Sequence, residues 1–449
     1  GGDEGTVAGI CAAAAEAAAV CVMGDDAEDA RGWGGRAPGS RTLKRGDCMW
    51  FAQYLAPVPV YSSRHFRKRF RVPLTLYRVL EAELPAVELT LLQRTDCTGR
   101  QGHPVFVKIL NSLRRLGNGA SFEDLDDQAH MSVESQRQAF MAFLRAVRTR
   151  FGPRFLNQEP TVAELQTISD RYAARGFPGC IGCVDCMKLI WKNCPRALKG
   201  QYHNPKDSKL AVLSCEAVVD SDLYCWHWFA GRPGTNNDRT VLDNSPFFLD
   251  VLAGRRQMHL PGGYELNGQQ RDWLLYLLGD GAYPRWAIFF LPNHAAATEK
   301  EKHVAMCQTS VRKDVERFFG CLQGRFKILR GERHEWSDET LLLIAQVCII
   351  LHNMIVFMRK SRALDGEAAD DHDHPPIDLV AEFDEPDGDG PGAPGAPGAP
   401  GAADEQPGPP APAPLHALLG SYDAVMSEDG HMALRGALSD HLWNLRGEN

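Results

Sequence analysis

Three apolar runs stand close together near the middle of the chain: "CIGCVDCMKLIW" (180–191), "SKLAVLSCEAVVD" (208–220) and "LYCWHWFAG" (223–231). All three are rich in Val, Ile, Leu and aromatics, which is the pattern of buried strands. "DSD" (220–222) would turn the second into the third. "TNNDRTVLDNSPFFLDVLAG" (235–254) suggests a helix followed by a looser segment. A fourth strand, "DWLLYLLGD" (272–280), and a shorter one, "WAIFFLP" (286–292), come next. A long helix is predicted over 299–329, with Val304, Val311, Val315, Phe318, Leu322 and Leu329 on its apolar face. Strands, a helix and further alternation describe an α/β domain with a mixed sheet.

Carboxylates interrupt this apolar pattern. Asp185 sits inside the first strand, and an unpaired buried carboxylate costs several kcal/mol. Lys188 lies on the opposite strand face, so a metal is the sharper explanation of Asp185. Asp280 ends the fourth strand, and Gly281 after it would leave the sheet's rim open to a bulky substrate. Glu316 borders the apolar stripe of the long helix. If the first and fourth strands are neighbours, the three acids form a hard oxygen site suited to Mg²⁺. Two such ions would activate a water and stabilise the leaving oxygen of a phosphodiester. Each acid also has a plain alternative: Asp280 can cap a turn, Glu316 can pair with Arg312 one helical turn away, and Asp185 can meet a distant Arg.

The formal charge of −8 conceals an asymmetry. Residues 365–405 hold 13 acidic side chains and no Lys or Arg; without them −8 becomes +5. An acidic tail on a mildly basic body is compatible with a polyanionic partner. Thirteen Cys in a chain this long fit a reducing compartment. "AAAAEAAAVCVM" lacks a basic start and carries Glu16, unlike a signal peptide. "LLLIAQVCIILHNMIVFM" (341–358) approaches membrane-spanning length, but Gln346, His352 and Asn353 favour a buried core helix, with no membrane partner.

Residues 1–58 read as low-complexity, and 59–158 as helical. Within the latter, Ser121 with Asp124 resembles a capping box, Ser132 can cap the next helix, and the tight turn between them suggests helix-turn-helix. Two ordinary packed helices would look the same. Arg64, Arg67, Lys68, Arg69 and Arg71 in "SSRHFRKRFRVP" (62–73), and Arg137, are candidate phosphate contacts. A solvated basic helix face or a nuclear address would explain the cluster as well. Residues 359–415 read as an acidic, Pro/Gly-rich disordered stretch, and the last ~30 residues as one docking helix.

"RGFPGCIGCVDCMKLIWKNCP", "WHWFAGRPGTNNDRTVLDNSPFF", "GDGAYPRWAIF", "RKDVERFFGCLQGRF" and "CIILHNMIV" occur in that order between about 175 and 358. Together they resemble the PIF/Harbinger transposase family, with a weaker likeness back to about residue 60. The resemblance implies a ribonuclease H-like endonuclease domain over 175–358; the residue patterns put a small helical, helix-turn-helix-like domain before it and a tail at 359–449. It implies a DDE triad of Asp185, Asp280 and Glu316, which are also the metal ligands. It implies two Mg²⁺ ions, with Mn²⁺ able to substitute. Asp238 in "NND" matches a further family motif and is held as auxiliary, or as a helix cap. The implied reaction cuts DNA at transposon ends and joins the freed 3′-OH to target DNA. Implied with it are a Myb/SANT-like helper protein, a homo-oligomer during synapsis and a nuclear location. Lys188 departs from the family, where His is frequent, and so does the Cys-rich surround of Asp185.

Rival readings are a domesticated DNA-binding protein or nuclease that no longer transposes, and a hydrolase of another phosphodiester. An iron–sulfur or zinc site at "CIGCVDC" is disfavoured: seven residues lie between Cys186 and Cys194 instead of three, and strand alternation would put Cys180 and Cys186 on one face and Cys183 on the other.

Overall fold

The computed structural model describes residues 49–364 and 422–448, apart from 96, 98, 100, 204–209, 234–237, 294 and 331–336; at 126–128, 231–233, 238, 239, 362–364 and 448 it describes the backbone alone. The expectations for the N-terminal 48 residues and for the acidic stretch after 364 lie outside the described residues. The chain divides into two compact units.

The first unit includes the described residues up to Ser112, and Phe122–Phe143. Its first helices are α1 (Ser63–Phe70) and α2 (Leu74–Val87). Phe66 and Phe70 of α1 are one turn apart, with ring centroids 4.7 Å from each other and Tyr54 and Tyr77 alongside. α3 (Val105–Asn118) follows, then α4 (Glu123–Ala129) and α5 (Val133–Phe155). His130 takes a left-handed backbone (φ 49°) in the turn from α4 to α5, and Ser132 accepts the Ser135 N–H at 3.4 Å to cap α5. Buried Gln136 seals this corner, donating to the carbonyls of Phe122 and Met131 and accepting from Asn111.

The second unit includes Leu113–Ser121, the described residues from Leu144 to 364, and those from 422 onwards. Its helices are α6 (Val162–Ala173), α7 (Arg196–Tyr202), α8 (Asp238–Leu242), α9 (Pro246–Leu252), α10 (Glu299–Arg325), α11 (Asp338–Leu364) and α12 (Glu428–Glu448). Its strands are β1 (Cys180–Trp191), β2 (Ala211–Val219), β3 (Cys225–Pro233), β4 (Tyr264–Leu266), β5 (Gln269–Arg271), β6 (Tyr276–Leu278) and β7 (Phe289–Phe290). Five of them form one sheet in the order β3-β2-β1-β6-β7. β1, β2 and β3 pair antiparallel; β6 joins β1 in parallel, and β7 joins β6 in parallel. This mixed order, with helices on both faces, is compatible with a ribonuclease H-like fold. All nine residues of β2 are buried, as a strand covered on both sides requires.

Asp220 makes the β2–β3 turn: its Oδ1 accepts the N–H groups of Asp222 and Tyr224, both at 2.9 Å, and Leu223 takes φ 64°. The 235–254 segment holds two helices rather than one, because Ser245 and Pro246 start a second at its N-cap and first turn. The 272–280 run pairs only at Tyr276–Leu278. Ahead of it stands a hairpin, β4–β5, that the pattern of apolar runs did not predict. Its turn is Asn267-Gly268, both at positive φ, the chemistry of a two-residue hairpin loop.

The pairing at the start of β1 is irregular. The β1–β6 register slips between Cys180 and Gly182. A Cβ at Gly182 would lie 2.7 Å from the Val219 carbonyl oxygen, so glycine lets the strand bulge there. The slip interrupts the regular alternation between Cys180 and Cys183, whose thiols both act electrostatically on the buried Tyr172 hydroxyl. Burial above all, then these two thiols, pushes the Tyr172 phenol far up.

β3 is an edge strand whose outer side is covered by asparagines. Asn353 of α11 accepts the Cys225 N–H at 3.0 Å and donates to the Cys225 carbonyl at 2.7 Å. Asn157 does the same at Trp228, at 2.7 and 2.9 Å. Each amide imitates a residue of a missing neighbour strand. α11 is long and apolar enough to span a membrane by length and composition, but 72% of that apolar window is buried inside the protein.

Candidate active site

Cys183 of β1 pairs with Leu278 of β6. Two residues further along each strand stand Asp185 and Asp280. Parallel neighbours run ~4.8 Å apart, so the register brings both aspartates to the same end of the sheet, Asp280 standing just past the end of β6. α10 covers that face: the Cys183 thiol reaches the Val311 carbonyl at 3.5 Å. One turn past Arg312, at the rim of the covered stripe, is Glu316, 47% exposed.

α10 is pinned along its length. Fully buried Gln308 donates to the carbonyls of Gly279 (2.8 Å) and Phe290 (3.2 Å), tying the helix to the ends of β6 and β7 just before Asp280. Asp314, 1% exposed, takes a forked pair of bonds from Arg175 at 2.5 and 3.3 Å. Sequence reasoning singled out neither; a donor facing two carbonyls from distant segments leaves no local pattern.

Asp185 receives its own chain's Cys186 N–H at Oδ1 (2.8 Å) and Arg312 Nη1 at Oδ2 (3.1 Å). Arg312 Nη2 donates to Glu316 Oε1 at 2.8 Å. The two plain alternatives, a distant Arg for Asp185 and an i−4 Arg for Glu316, are therefore one and the same side chain. Asp280 Oδ1 accepts the Ala282 N–H at 2.9 Å, so it does cap its turn. A carboxylate has two oxygens, and capping with one does not prevent ligation by the other.

The donor set fits a hard divalent cation: all carboxylate oxygen, at one sheet end, with two of the acids already converging on one positive centre. The present arrangement does not close around a metal. Among the described residues no group of three His, Cys, Asp or Glu is placed to hold one. The guanidinium of Arg312 occupies the space between Asp185 and Glu316.

Asp238 opens α8, and its side chain lies outside the described residues. In the first unit Arg64 and Lys68 are exposed, Arg69 and Arg71 half-buried. Arg67 is only 8% exposed, because position 67 falls beside Phe66 and Phe70 on the packed face of α1. Arg137 is exposed on α5 and lies over the Phe122 ring at 5.9 Å.

Residues 153–362 match the family of plant transposon proteins. Over that segment, just under half of its length, the chain is similar to Harbinger-derived nucleases. An Arabidopsis thaliana protein named "Protein ALP1-like" is 25% identical over 276 residues, covering 61% of this chain and 66% of the relative. Proteins named "Putative nuclease HARBI1" from Bos taurus and Homo sapiens are 28% and 26% identical over 250 residues, 55% of this chain and 66% of each relative. The chain thus spans just under two thirds of the length of these relatives. No solved structure gives a significant match. The matched segment takes in Asp185, Asp280, Glu316 and Arg312.

Proposed function

We propose that this chain is a metal-dependent DNA endonuclease of the transposase type, cutting phosphodiester bonds at transposon ends and joining the 3′-OH to target DNA. One observation carries the reading. Arg312 ties Asp185 of the central strand to Glu316 of the helix covering that face, and Asp280 stands just past the parallel neighbour of the same strand. The family's printed names, a transposon protein and a nuclease, support the same class of chemistry.

Asp185, Asp280 and Glu316 would hold Mg²⁺, with Mn²⁺ as a substitute. When bound, the ions supply an activated water and stabilise the leaving oxygen. The chain's own residues position the acids. The Cys186 N–H orients Asp185, the Ala282 N–H orients Asp280, and Gln308 keeps α10 against the strand ends. The rim is open on the Glu316 side, as a polymer substrate requires. Exposed Arg64, Lys68 and Arg137, with half-buried Arg69 and Arg71, are the phosphate contacts in this reading. It extends to a Myb/SANT-like helper, a homo-oligomer during synapsis and a nuclear location.

The test is nicking of supercoiled plasmid with Mg²⁺, comparing the full chain with Asp280→Asn and Asp185→Asn. Both variants should lose the cleavage, and chelation should remove it from the parent. Equal nicking by parent and Asp280→Asn would end the assignment. Activity on other phosphodiesters without preference for DNA would move the chain to a different hydrolase class.

A further inference from the structure

Arg312 stands where the proposed chemistry needs a metal. Its Nη1 and Nη2 reach different acids, Asp185 at 3.1 Å and Glu316 at 2.8 Å, from a side chain 16% exposed. Charge-assisted bonds to two carboxylates in a half-desolvated setting are among the stronger polar contacts a protein makes. A guanidinium and a divalent ion cannot share that space, so an ion binding to both acids must first break both contacts.

The surroundings show which part can move. Gln308 fixes α10 to the strand ends, and Asp314 fixes it through Arg175, on either side of Arg312 along the helix. The helix backbone is held there while Arg312 sits at the rim next to half-exposed Glu316. A rotation of one long side chain opens the acids without displacing an element.

We propose that Arg312 is a resident counter-cation that competes with the metal for Asp185 and Glu316, and that metal loading turns its guanidinium out to solvent. This rests on the metal-dependent reading above. It assigns Arg312 a role in setting metal affinity, distinct from the role of the ligands.

The test measures Mn²⁺ binding to the full chain by electron paramagnetic resonance, without DNA, for the parent, Arg312→Gln and Asp280→Asn. Arg312→Gln should bind Mn²⁺ at least about tenfold more tightly, the factor that one charge-assisted bond of ordinary strength represents. Asp280→Asn should bind more weakly than the parent. Binding that is equal in parent and Arg312→Gln, or weaker in the variant, would overturn the inference and leave the metal reading intact. Absence of Mn²⁺ binding in both would overturn the metal reading, and the inference with it. A second measurement needs no variant: phenylglyoxal modification of Arg312 in the parent, mapped by peptide mass, should be slow without Mg²⁺ and several-fold faster with it. Slower modification with Mg²⁺, or no change, counts against the proposal.

Discussion

His352 shows how burial sets the chemistry of one side chain. Its Nε2 lies 2.8 Å from the Leu223 carbonyl and its Nδ1 2.9 Å from Arg325 Nη1. A guanidinium only donates, so Nδ1 accepts, Nε2 carries the proton, and the ring is neutral. Burial first, then Arg325, holds its pKa well below 6.5; burial lowers His227 too. The unfolded chain takes up a proton as pH falls through about 6.5, while the folded chain does not. Stability is therefore complete above that pH and declines below it, by up to ~1.4 kcal/mol per pH unit for each such ring. Urea unfolding between pH 7 and 5 should show the decline, and His352→Gln should reduce its slope by about one ring's share. An unchanged slope would mean that His352 is not the neutral group described. Buried thiols follow the same logic: burial pushes Cys180 and Cys225 far up, so neither offers a thiolate at neutral pH. A maleimide should label exposed Cys97 in the native protein and leave Cys180, Cys183 and Cys225 untouched until denaturant is added.

At the scale of elements, the β3 edge carries a sharp expectation. Asn353 holds both backbone groups of Cys225 and also donates to the Phe155 carbonyl at 2.9 Å. All of these are buried, and each orphaned group costs about 1–3 kcal/mol. Asn353→Ala should thus lower unfolding free energy by roughly 3 kcal/mol or more. Asn157→Ala, at a half-buried site, should cost about 1 kcal/mol. Chemical denaturation measures both; equal small losses would mean the amides do not act as a surrogate strand. α12 makes a comparable claim at the other edge. Leu434, Leu438 and Leu442 are buried, and His431 Nδ1 lies 3.0 Å from the Phe289 carbonyl of β7. A chain ending at residue 364 should melt at a lower temperature than the full chain, because several leucines' worth of burial, ~1.5–3 kcal/mol each, is removed.

For the whole molecule, charge distribution is the property most open to test. Deleting 365–405 changes the formal net charge from −8 to +5. Filter binding to a random-sequence DNA duplex should tighten in the deletion at low salt and converge with the full chain as salt rises. Equal affinity at low salt would show that the acidic stretch does not oppose DNA binding.

Much of the sheet was legible in the sequence because buried strands need continuous apolar runs, and 180–191, 208–220 and 223–231 provide them. The apolar stripe of α10 was legible for the same kind of reason, one face in contact with a core at helical period. Asp185, Asp280 and Glu316 stood out as polar residues at apolar boundaries. The β4–β5 hairpin went unpredicted because its strands are three residues each, too short for a period to appear. The irregularity at Gly182 went unpredicted because a bulge depends on a neighbour's carbonyl, not on local composition. Apolar periodicity, a local and additive property, settled the elements. Which strands are neighbours, and that one arginine, 127 residues from Asp185 and one turn from Glu316, closes on both, was decided only when the chain packed, since each contact is a pairing between distant segments.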